Sequence, residues 1–284
     1  MANEKQLNSA KSYEEIDFTN DFMFGKIMED SNLCREVIER LLNRPIGELK
    51  EVIPQKKFKQ TSDGKEIRLD IYTKDNEAVY DAEMQNLGNM SIDSLNLPRR
   101  SRFYQSEIDA DFLYKGATYR SLPENNVIFI CTFDPFGKNE PFYLFENYHK
   151  GREVIPLKDG TYKYFFNCAY HGEEISKELS DFYNYIRTGK ATDKLTEKIE
   201  TAVENGRKNE RWRSEYMKER LIKDDYIQEG IAIGKKEQQE KLEKAEQRAD
   251  AEKQRADSER QRADNAEKEN KRLRQLLLEN NIKI

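Results

Sequence analysis

Four segments constrain the fold most. In chain order, two of them alternate apolar and polar residues, the third is helical and the fourth is a continuous apolar run. The segments EIRLDIYT at 66–73 and AVYDAEMQ at 78–85 alternate apolar and polar residues, which is typical of half-exposed strands joined as a hairpin. The run NVIFICTF at 126–133 predicts a central buried strand. Between them, a helical segment opens at Pro98 and carries on one face Tyr104, Ile108 and Phe112. A hairpin, a crossover helix and a parallel strand with a right-handed connection predict an α/β sheet.

Polar residues of the hairpin are predicted to converge on one face of the sheet. Side chains alternate along each strand, so Asp70 projects from the face opposite its apolar neighbours, and Glu83 and Gln85 share a face on the returning strand. The even-length turn pairs residues of opposite parity across the hairpin. It therefore brings Asp70 to the same face as Glu83 and Asp81.

This acidic centre has two interpretations. Carboxylates held a few ångströms apart repel each other unless a cation lies between them, and open oxygen sites suit Mg²⁺ or Mn²⁺, which also bind substrate phosphates. Such an ion lowers the pKa of a bound water and neutralises charge on a phosphodiester. A solvated acidic hairpin face would explain the same residues, and the spacing alone does not decide between the two.

Composition excludes several other kinds of site. The 284 residues include three widely spaced cysteines without a CxxC pair, which indicates buried reduced thiols: Cys34, Cys131 and Cys168. With only His149 and His171 available, a histidine metal centre or a Ser-His-Asp triad has few candidate residues.

No apolar run resembles a signal sequence or a membrane span, so we expect a cytoplasmic protein. The net charge of -5 argues against sequence-independent coating of DNA but allows a local basic groove.

The C-terminal half is predicted to be helical. Residues 173–230 carry apolar stripes on either side of Gly189, and residues 235–270 repeat every seven residues as QRADAEK, QRADSER and QRADNAE. One seam position of this repeat holds Leu242, Ala249, Ala256, Ala263 and Leu277, and the other holds Ala245, Ala266 and Leu273. Asn270, Glu252 and Glu259 interrupt the seam. We favour a coiled-coil dimer or trimer, with an isolated charged helix as the alternative.

Several ordered segments make the chain resemble a known family. They are NDFMFGKIM at 20–28, LDIYT at 69–73, DAEMQ at 81–85, RRSRFYQ at 99–105, KGATY at 115–119, VIFICTF at 127–133 and NERWRSEYM at 209–217. In this order and spacing, over roughly residues 16–235, the chain resembles the Rpn-type recombination-promoting nucleases, which are transposase-like members of the PD-(D/E)xK nuclease superfamily. The resemblance implies a restriction-endonuclease-like αβββαβ core, Mg²⁺-dependent DNA cleavage, and a link to recombination or mobile elements.

The resemblance also implies roles for individual residues. Asp70 and Glu83 would be metal ligands, with the Met84 carbonyl as a third, and Gln85 stands where the superfamily name has lysine. This family is similar in using glutamine there, which leaves the role of the lysine charge unassigned. Asp21 matches a leading acidic position, where it would reach the metal through water or serve as a helix cap next to Asn20.

Basic and aromatic residues near the hairpin are candidate DNA contacts. Arg99 and Arg100 open the crossover helix, and Arg100 shares a face with Tyr104, so the pair would hold a phosphate unless Tyr104 lies in the core and the arginines are solvated. The lysines before the hairpin would follow the DNA backbone or be ordinary solvated surface: Lys56, Lys57 and Lys59. Trp212 and Tyr216, one turn apart, are interpreted as packing anchors.

These observations predict three segments: a nuclease-like core at 16–172, a helical extension packed on it at 173–234, and a heptad coiled coil at 235–278. The expected function is a Mg²⁺- or Mn²⁺-dependent DNA endonuclease that forms a homo-oligomer through the coil and does not enter membranes. The alternatives are an inactive DNA-binding or oligomeric scaffold with a nuclease fold, and a nuclease that acts on RNA or branched DNA.

Overall fold

The computed structural model describes residues 12–58, 67–87, 91–116 and 118–279. These residues divide into two compact units, which meet in the sequence between Tyr216 and Met217. Lys59, one of the predicted DNA contacts, lies outside the described residues, as do the side chain of Leu277 in the predicted seam and the N-terminal segment in which we expected no signal sequence.

The helices begin with two short ones before the sheet and end with a very long one. They are α1 (Asp21–Met28), α2 (Ser31–Leu42), α3 (Ile92–Leu95), α4 (Leu97–Tyr114), α5 (Lys177–Thr188), α6 (Lys194–Arg207) and α7 (Glu210–Glu279). The Asn20 side chain caps α1 by accepting from the N–H groups of Phe22 and Met23, and Asp30 caps α2 in the same way. Ser31 is the first residue of α2, because Asp30 one position earlier supplies the acceptor oxygen.

The sheet has six strands. In chain order the strands of the described residues are β1 (Glu51–Phe58), β2 (Ile67–Lys74), β3 (Ala78–Gln85), β4 (Glu124–Cys131), β5 (Phe142–Phe145), β6 (Tyr148–Lys150), β7 (Val154–Pro156) and β8 (Thr161–Asn167). The order across the sheet is β1-β2-β3-β4-β8-β5, and β6 pairs with β7 in a separate hairpin. Strands β1, β2 and β3 are antiparallel, whereas β3, β4 and β8 run parallel. The predicted αβββαβ order and restriction-endonuclease-like α/β fold are confirmed. The prediction of a half-exposed hairpin is wrong for β3, which is buried along its whole length because helices cover both faces of the sheet.

Helix α4 is the crossover that the parallel pairing of β3 and β4 requires. Asn96, in the left-handed conformation at φ 50°, ends α3 and precedes α4, and Pro98 lies in the first turn of α4, where its missing N–H costs nothing. Helix α4 packs its buried face, which includes Tyr104 and Ile108, on one side of the sheet. The other side is covered by α1, α2, α5 and α6. The first turn of α4 thus follows directly on the segment that leaves the end of β3.

The helices after the sheet follow the predicted stripes. The buried side chains of α5 and α6 include Leu179, Phe182, Tyr183, Ile186, Leu195, Ile199 and Val203. Gly189 ends α5 with φ 69°, a conformation that favours glycine. The rings of Tyr216 and Tyr13 lie 5.5 Å apart and those of Tyr216 and Phe22 5.4 Å apart, so Tyr216 packs on the core.

The second unit is formed by α7 from Met217 onward. The helix continues without a break through Gly230 and Gly234. The coiled coil and the boundaries at 172 and 234 stay predictions. In the described parts of the chain, no helix is both long enough and apolar enough to cross a membrane. The three cysteines are buried and unpaired, as predicted.

Candidate active site

The candidate site lies at Asp70 and Glu83, where the pairing of β2 with β3 ends, and we call this position the fork. The two strands are paired from Lys74↔Val79 to Ile71↔Ala82. At the next position, side-chain carboxylates accept the backbone N–H groups. The Asp70 N–H donates to Glu83 Oε1 at 2.8 Å, and the Met84 N–H donates to Asp70 Oδ2 at 3.2 Å. The turn parity therefore brings Asp70 against Glu83, as the sequence predicted. Each carboxylate is fixed by a backbone N–H of the opposite strand.

Asp81 extends the acidic cluster inward. It is two residues before Glu83 on β3 and opposite Tyr72 of β2, and its side chain has no exposed surface. No N–H or hydroxyl group within the described ranges donates to either of its carboxylate oxygens. The neighbouring carboxylates act on it through their charge: that of Asp70 raises the pKa of Asp81, and that of Asp81 raises the pKa of Glu83.

All three carboxyl groups resist ionisation. Burial raises the pKa of Asp70 well above its ordinary value, although the residue keeps some exposed surface, and the charges of Glu83 and Asp21 raise it further. Burial also raises the pKa of Asp81 and of Glu83, and each is raised further by a neighbouring carboxylate. The site thus holds more acidic groups than its surroundings can stabilise as anions.

One guanidinium group opposes this charge. Arg100, in the first turn of α4, donates from Nη2 to Glu83 Oε2 at 2.9 Å and from Nη1 to Gln85 Oε1 at 2.9 Å. It also donates to the Tyr104 hydroxyl at 2.8 Å from Nη2 and at 3.0 Å from Nε. Its charge lowers the pKa of each of the three carboxyl groups. Gln85 completes the group by donating from Nε2 to Glu83 Oε2 at 3.4 Å.

The donor set suits a hard divalent cation. The carboxylate oxygens of Asp70 and Glu83 lie next to each other and could bind one ion. The raised pKa values of these two groups, and the Asp81 oxygens without a donor, indicate that the site has too little positive charge for its acids. Within the described residues no set of three or more His, Cys, Asp or Glu side chains is arranged to hold a metal ion. A cation here would therefore rely on two carboxylates completed by water or by a carbonyl, which is usual for Mg²⁺.

The other predicted site residues lie at different distances from this centre. Asp21 is exposed at the start of α1, near enough for its charge to act on Asp70; Asn20 and not Asp21 caps the helix. The Met84 side chain is buried on the opposite face of β3, while its N–H binds Asp70, and the predicted role of its carbonyl stays a prediction.

The predicted DNA contacts are only partly on the surface. Arg99 is exposed and forms no ion pair with a described residue, and Lys57 is exposed on β1. Tyr104 is buried and stacks on Phe129, with ring centroids 6.2 Å apart, so of the two alternatives its ring is in the core. Lys56 does not join a surface cluster: its Nζ lies 3.9 Å from the centroid of the Tyr72 ring.

The sequence did not predict the contact of Arg100 with Gln85 and Glu83. The available signal was the position of the Arg99–Arg100 pair in the first turn after the hairpin, which indicated proximity to the acidic centre. The two roles that the sequence leaves open for Arg100, a contact with DNA phosphate and a solvated side chain, do not include these hydrogen bonds.

Comparison with known proteins identifies the family of the chain. The family model for the PD-(D/E)XK nuclease family transposase matches residues 14–160, slightly more than half of the 284 residues. No curated protein matches the chain, and no solved structure does. The matched range contains the fork, the crossover helix and β4. The chain belongs to the PD-(D/E)XK nuclease family transposases.

Proposed function

We propose that this protein is a Mg²⁺- or Mn²⁺-dependent DNA endonuclease whose reaction centre is the fork at Asp70 and Glu83. The family supports a nuclease associated with mobile elements; the metal and the substrate are our proposal. The observation that carries it is the convergence of Asp70 and Glu83, each fixed by a backbone N–H of the opposite strand, at a buried site with excess acidic groups.

Asp70 and Glu83 would hold the cation, with Met84 offering a backbone carbonyl. When bound, a divalent ion supplies an acidified water and positive charge beside the scissile phosphate. The protein contributes fixed ligands: neither carboxylate has to reorganise, because backbone N–H groups on rigid strands already orient both. Gln85, a neutral amide, would orient water or Glu83 but cannot stabilise a charge as an ammonium does.

Substrate DNA would approach the exposed end of the fork. Asp21 at the start of α1 and the partly exposed Arg100 lie beside it, and the exposed Arg99 precedes Arg100 on α4. The N-terminus of α4 adds a favourable dipole for phosphate. Arg99 and Lys57 are our candidates for contacts with the DNA backbone, since both are exposed.

The test is cleavage of supercoiled plasmid DNA with Mg²⁺ or Mn²⁺ by the wild-type protein and by Asp70→Asn. We expect nicking or linearisation by the wild type and a loss of at least about 100-fold in the variant, because several kcal/mol of transition-state stabilisation depend on the bound ion. Asp225→Asn, which removes an exposed carboxylate on α7, is the matched control and should cleave like the wild type.

Two outcomes would contradict the proposal. Cleavage unaffected by Asp70→Asn would remove the fork from the reaction. No cleavage with either ion would favour the inactive scaffold, and cleavage of RNA or branched DNA alone, measured in parallel, would keep the fork but change the substrate.

A further inference from the structure

Arg100 is more heavily bonded within the protein than a phosphate-binding arginine would be. Its hydrogen bonds to Glu83, to Gln85 and twice to Tyr104 use four of the five N–H groups of a guanidinium. About a third of the side chain is exposed, at 32%. Little donor capacity is therefore left for a ligand.

The partners of Arg100 are themselves held in place. The Tyr104 ring is buried against Phe129, and Arg100 also lies over both rings, with its Cζ 5.4 Å from the centroid of Tyr104 and 5.6 Å from that of Phe129. Helix α4 positions Arg100 and Tyr104 one turn apart on the same face. The guanidinium is thus part of a rigid layer between α4 and the sheet and not a mobile surface group.

Arg100 brings a positive charge to a part of the site where β3 itself has no basic side chain. At position 85, where the family name has lysine, the strand has a glutamine, and its amide oxygen accepts from Arg100. Arg100 brings a fixed positive charge to that position from the neighbouring helix. It also occupies Glu83 Oε2, whereas Oε1 is held by the Asp70 N–H.

We propose that Arg100 is a positioning residue that orients the Glu83 carboxylate and the Gln85 amide and supplies the cation that β3 lacks, in place of the phosphate contact predicted from the sequence. The inference rests on the proposed nuclease function for its catalytic consequence, but the orientation of Glu83 is a property of the protein alone. Removal of Arg100 leaves a buried Glu83 without its counter-charge, which is strongly destabilising.

The first experiment therefore needs no activity. We would measure the thermal midpoint of wild type, Arg100→Met, Glu83→Gln and the double variant in metal-free buffer. Arg100→Met is expected to lower the midpoint by about 6 °C or more, and adding Glu83→Gln to it should recover a substantial part. Additive effects of the two substitutions would overturn the proposal, because they would show that Arg100 and Glu83 do not act on each other.

The second experiment separates positioning from DNA binding. DNA affinity is measured by fluorescence anisotropy with Ca²⁺ over a range of salt concentrations for Arg100→Met and Arg99→Met. Loss of one phosphate contact lowers the salt slope by about one. We expect this for Arg99→Met and an unchanged slope, with Kd within about threefold, for Arg100→Met. A slope reduced by about one in Arg100→Met would make it a phosphate contact.

The third experiment moves the charge back to the strand. In plasmid cleavage, Arg100→Met should lower kcat by about 100-fold with little change in KM, and Gln85→Lys in the same protein should restore at least about tenfold. Arg100→Lys, which keeps the charge without the four bonds, should fall between. An unchanged kcat with a raised KM, or no rescue by Gln85→Lys, would contradict the proposal. If wild type itself does not cleave, the proposed function fails, whereas the thermal cycle still tests the positioning.

Discussion

Three carboxyl groups, those of Asp70, Asp81 and Glu83, share the space between the hairpin and α4 with the guanidinium of Arg100. Two of the three have defined donors, and Asp81 has none within the described structure. A buried carboxylate without a donor costs far more than a neutral acid. At the residue scale, burial therefore favours the protonated form of Asp81, whereas Glu83 and Asp70 each accept N–H groups that stabilise their anions.

This arrangement predicts how Asp81→Asn changes stability with pH. The folded-state pKa of Asp81 is raised above its unfolded value of 3.8, so the stability contributed by the protonated acid is present below about pH 4 and is lost as pH rises toward the folded pKa. Asparagine does not titrate. The variant should therefore gain free energy of unfolding relative to wild type as pH rises above about 4, by up to about 1.4 kcal/mol per pH unit.

Urea denaturation of both proteins in EDTA, at intervals from about pH 4 to 8, measures this difference. Titrating groups that Asp81 does not affect cancel in the comparison, and Glu83, whose pKa the charge of Asp81 raises, adds to the difference with the same sign. A difference in unfolding free energy that stays constant over the range would show that Asp81 titrates normally in the folded protein.

At the scale of secondary-structure elements, the fork and the first turn of α4 form the site together. Strand β3 is buried along its whole length between two packed layers, so the side chains of Asp81, Glu83 and Gln85 have little freedom. Helix α4 provides Arg100 and Tyr104 to the same face. Site geometry therefore depends on the packing of α4 against β3 and β4 as well as on the strands.

Substitution of two glycines by alanine tests the backbone conformation at the end of α5 and inside α1. Gly189 ends α5 at φ 69°, where a Cβ meets no atom within 4 Å but the backbone conformation itself disfavours other residues. Gly189→Ala should lower the free energy of unfolding by roughly 1 kcal/mol. Gly25, inside α1, also leaves room for a Cβ, which would meet no atom within 4 Å, so Gly25→Ala should raise stability by about 0.5–1 kcal/mol.

Chemical denaturation of the two alanine variants against wild type provides the measurement, and each variant serves as the control for the other. Equal signs for the two substitutions would contradict the assignment of opposite backbone conformations to these positions.

The sequence predicted those parts of the fold that local periodicity specifies. The strand at Ala78–Gln85, the crossover at Pro98 and the convergence of Asp70 with Glu83 follow from alternation, proline placement and turn parity. Strands β5, β6 and β7 were not predicted, because these short segments are largely exposed and lack a continuous apolar face.

The hydrogen bonds of Arg100 to Gln85 and Glu83 could not be predicted from local sequence patterns. Their existence depends on how α4 docks on β3, a tertiary arrangement that brings together residues 15 and 17 positions apart. The sequence placed Arg100 near the acidic centre but could not distinguish a guanidinium turned toward Glu83 from one turned toward a DNA phosphate.

At the scale of the whole molecule, the chain combines a compact α/β unit with a long helix that is largely exposed. From Met217 onward α7 is almost entirely exposed and includes exposed apolar side chains such as Leu221, Tyr226, Ile233 and Leu242. An isolated helix of this kind gains little from burial. The heptad repeat at 235–278 thus supports our proposal that α7 joins copies of the chain, which would bring two forks to one duplex.

Truncation after Gly230 tests this proposal. We expect the full-length protein to be a dimer or trimer by multi-angle light scattering and the truncated protein to be a monomer, because the heptad positions are removed. The truncated protein should still nick plasmid DNA but should linearise it less efficiently, since coordinated cutting of both strands needs two sites. A truncated protein with the same oligomeric state as the full-length chain would exclude the coil as the assembly element.

Anomalous scattering from crystals of the wild-type protein soaked in Mn²⁺ tests whether the fork at Asp70 and Glu83 holds the cation of the proposed nuclease. We expect an anomalous peak within about 2–2.5 Å of a carboxylate oxygen of both Asp70 and Glu83, and no such peak in Asp70→Asn. No peak at the fork at saturating Mn²⁺, or a peak only at another position, would show that these two residues do not hold the ion.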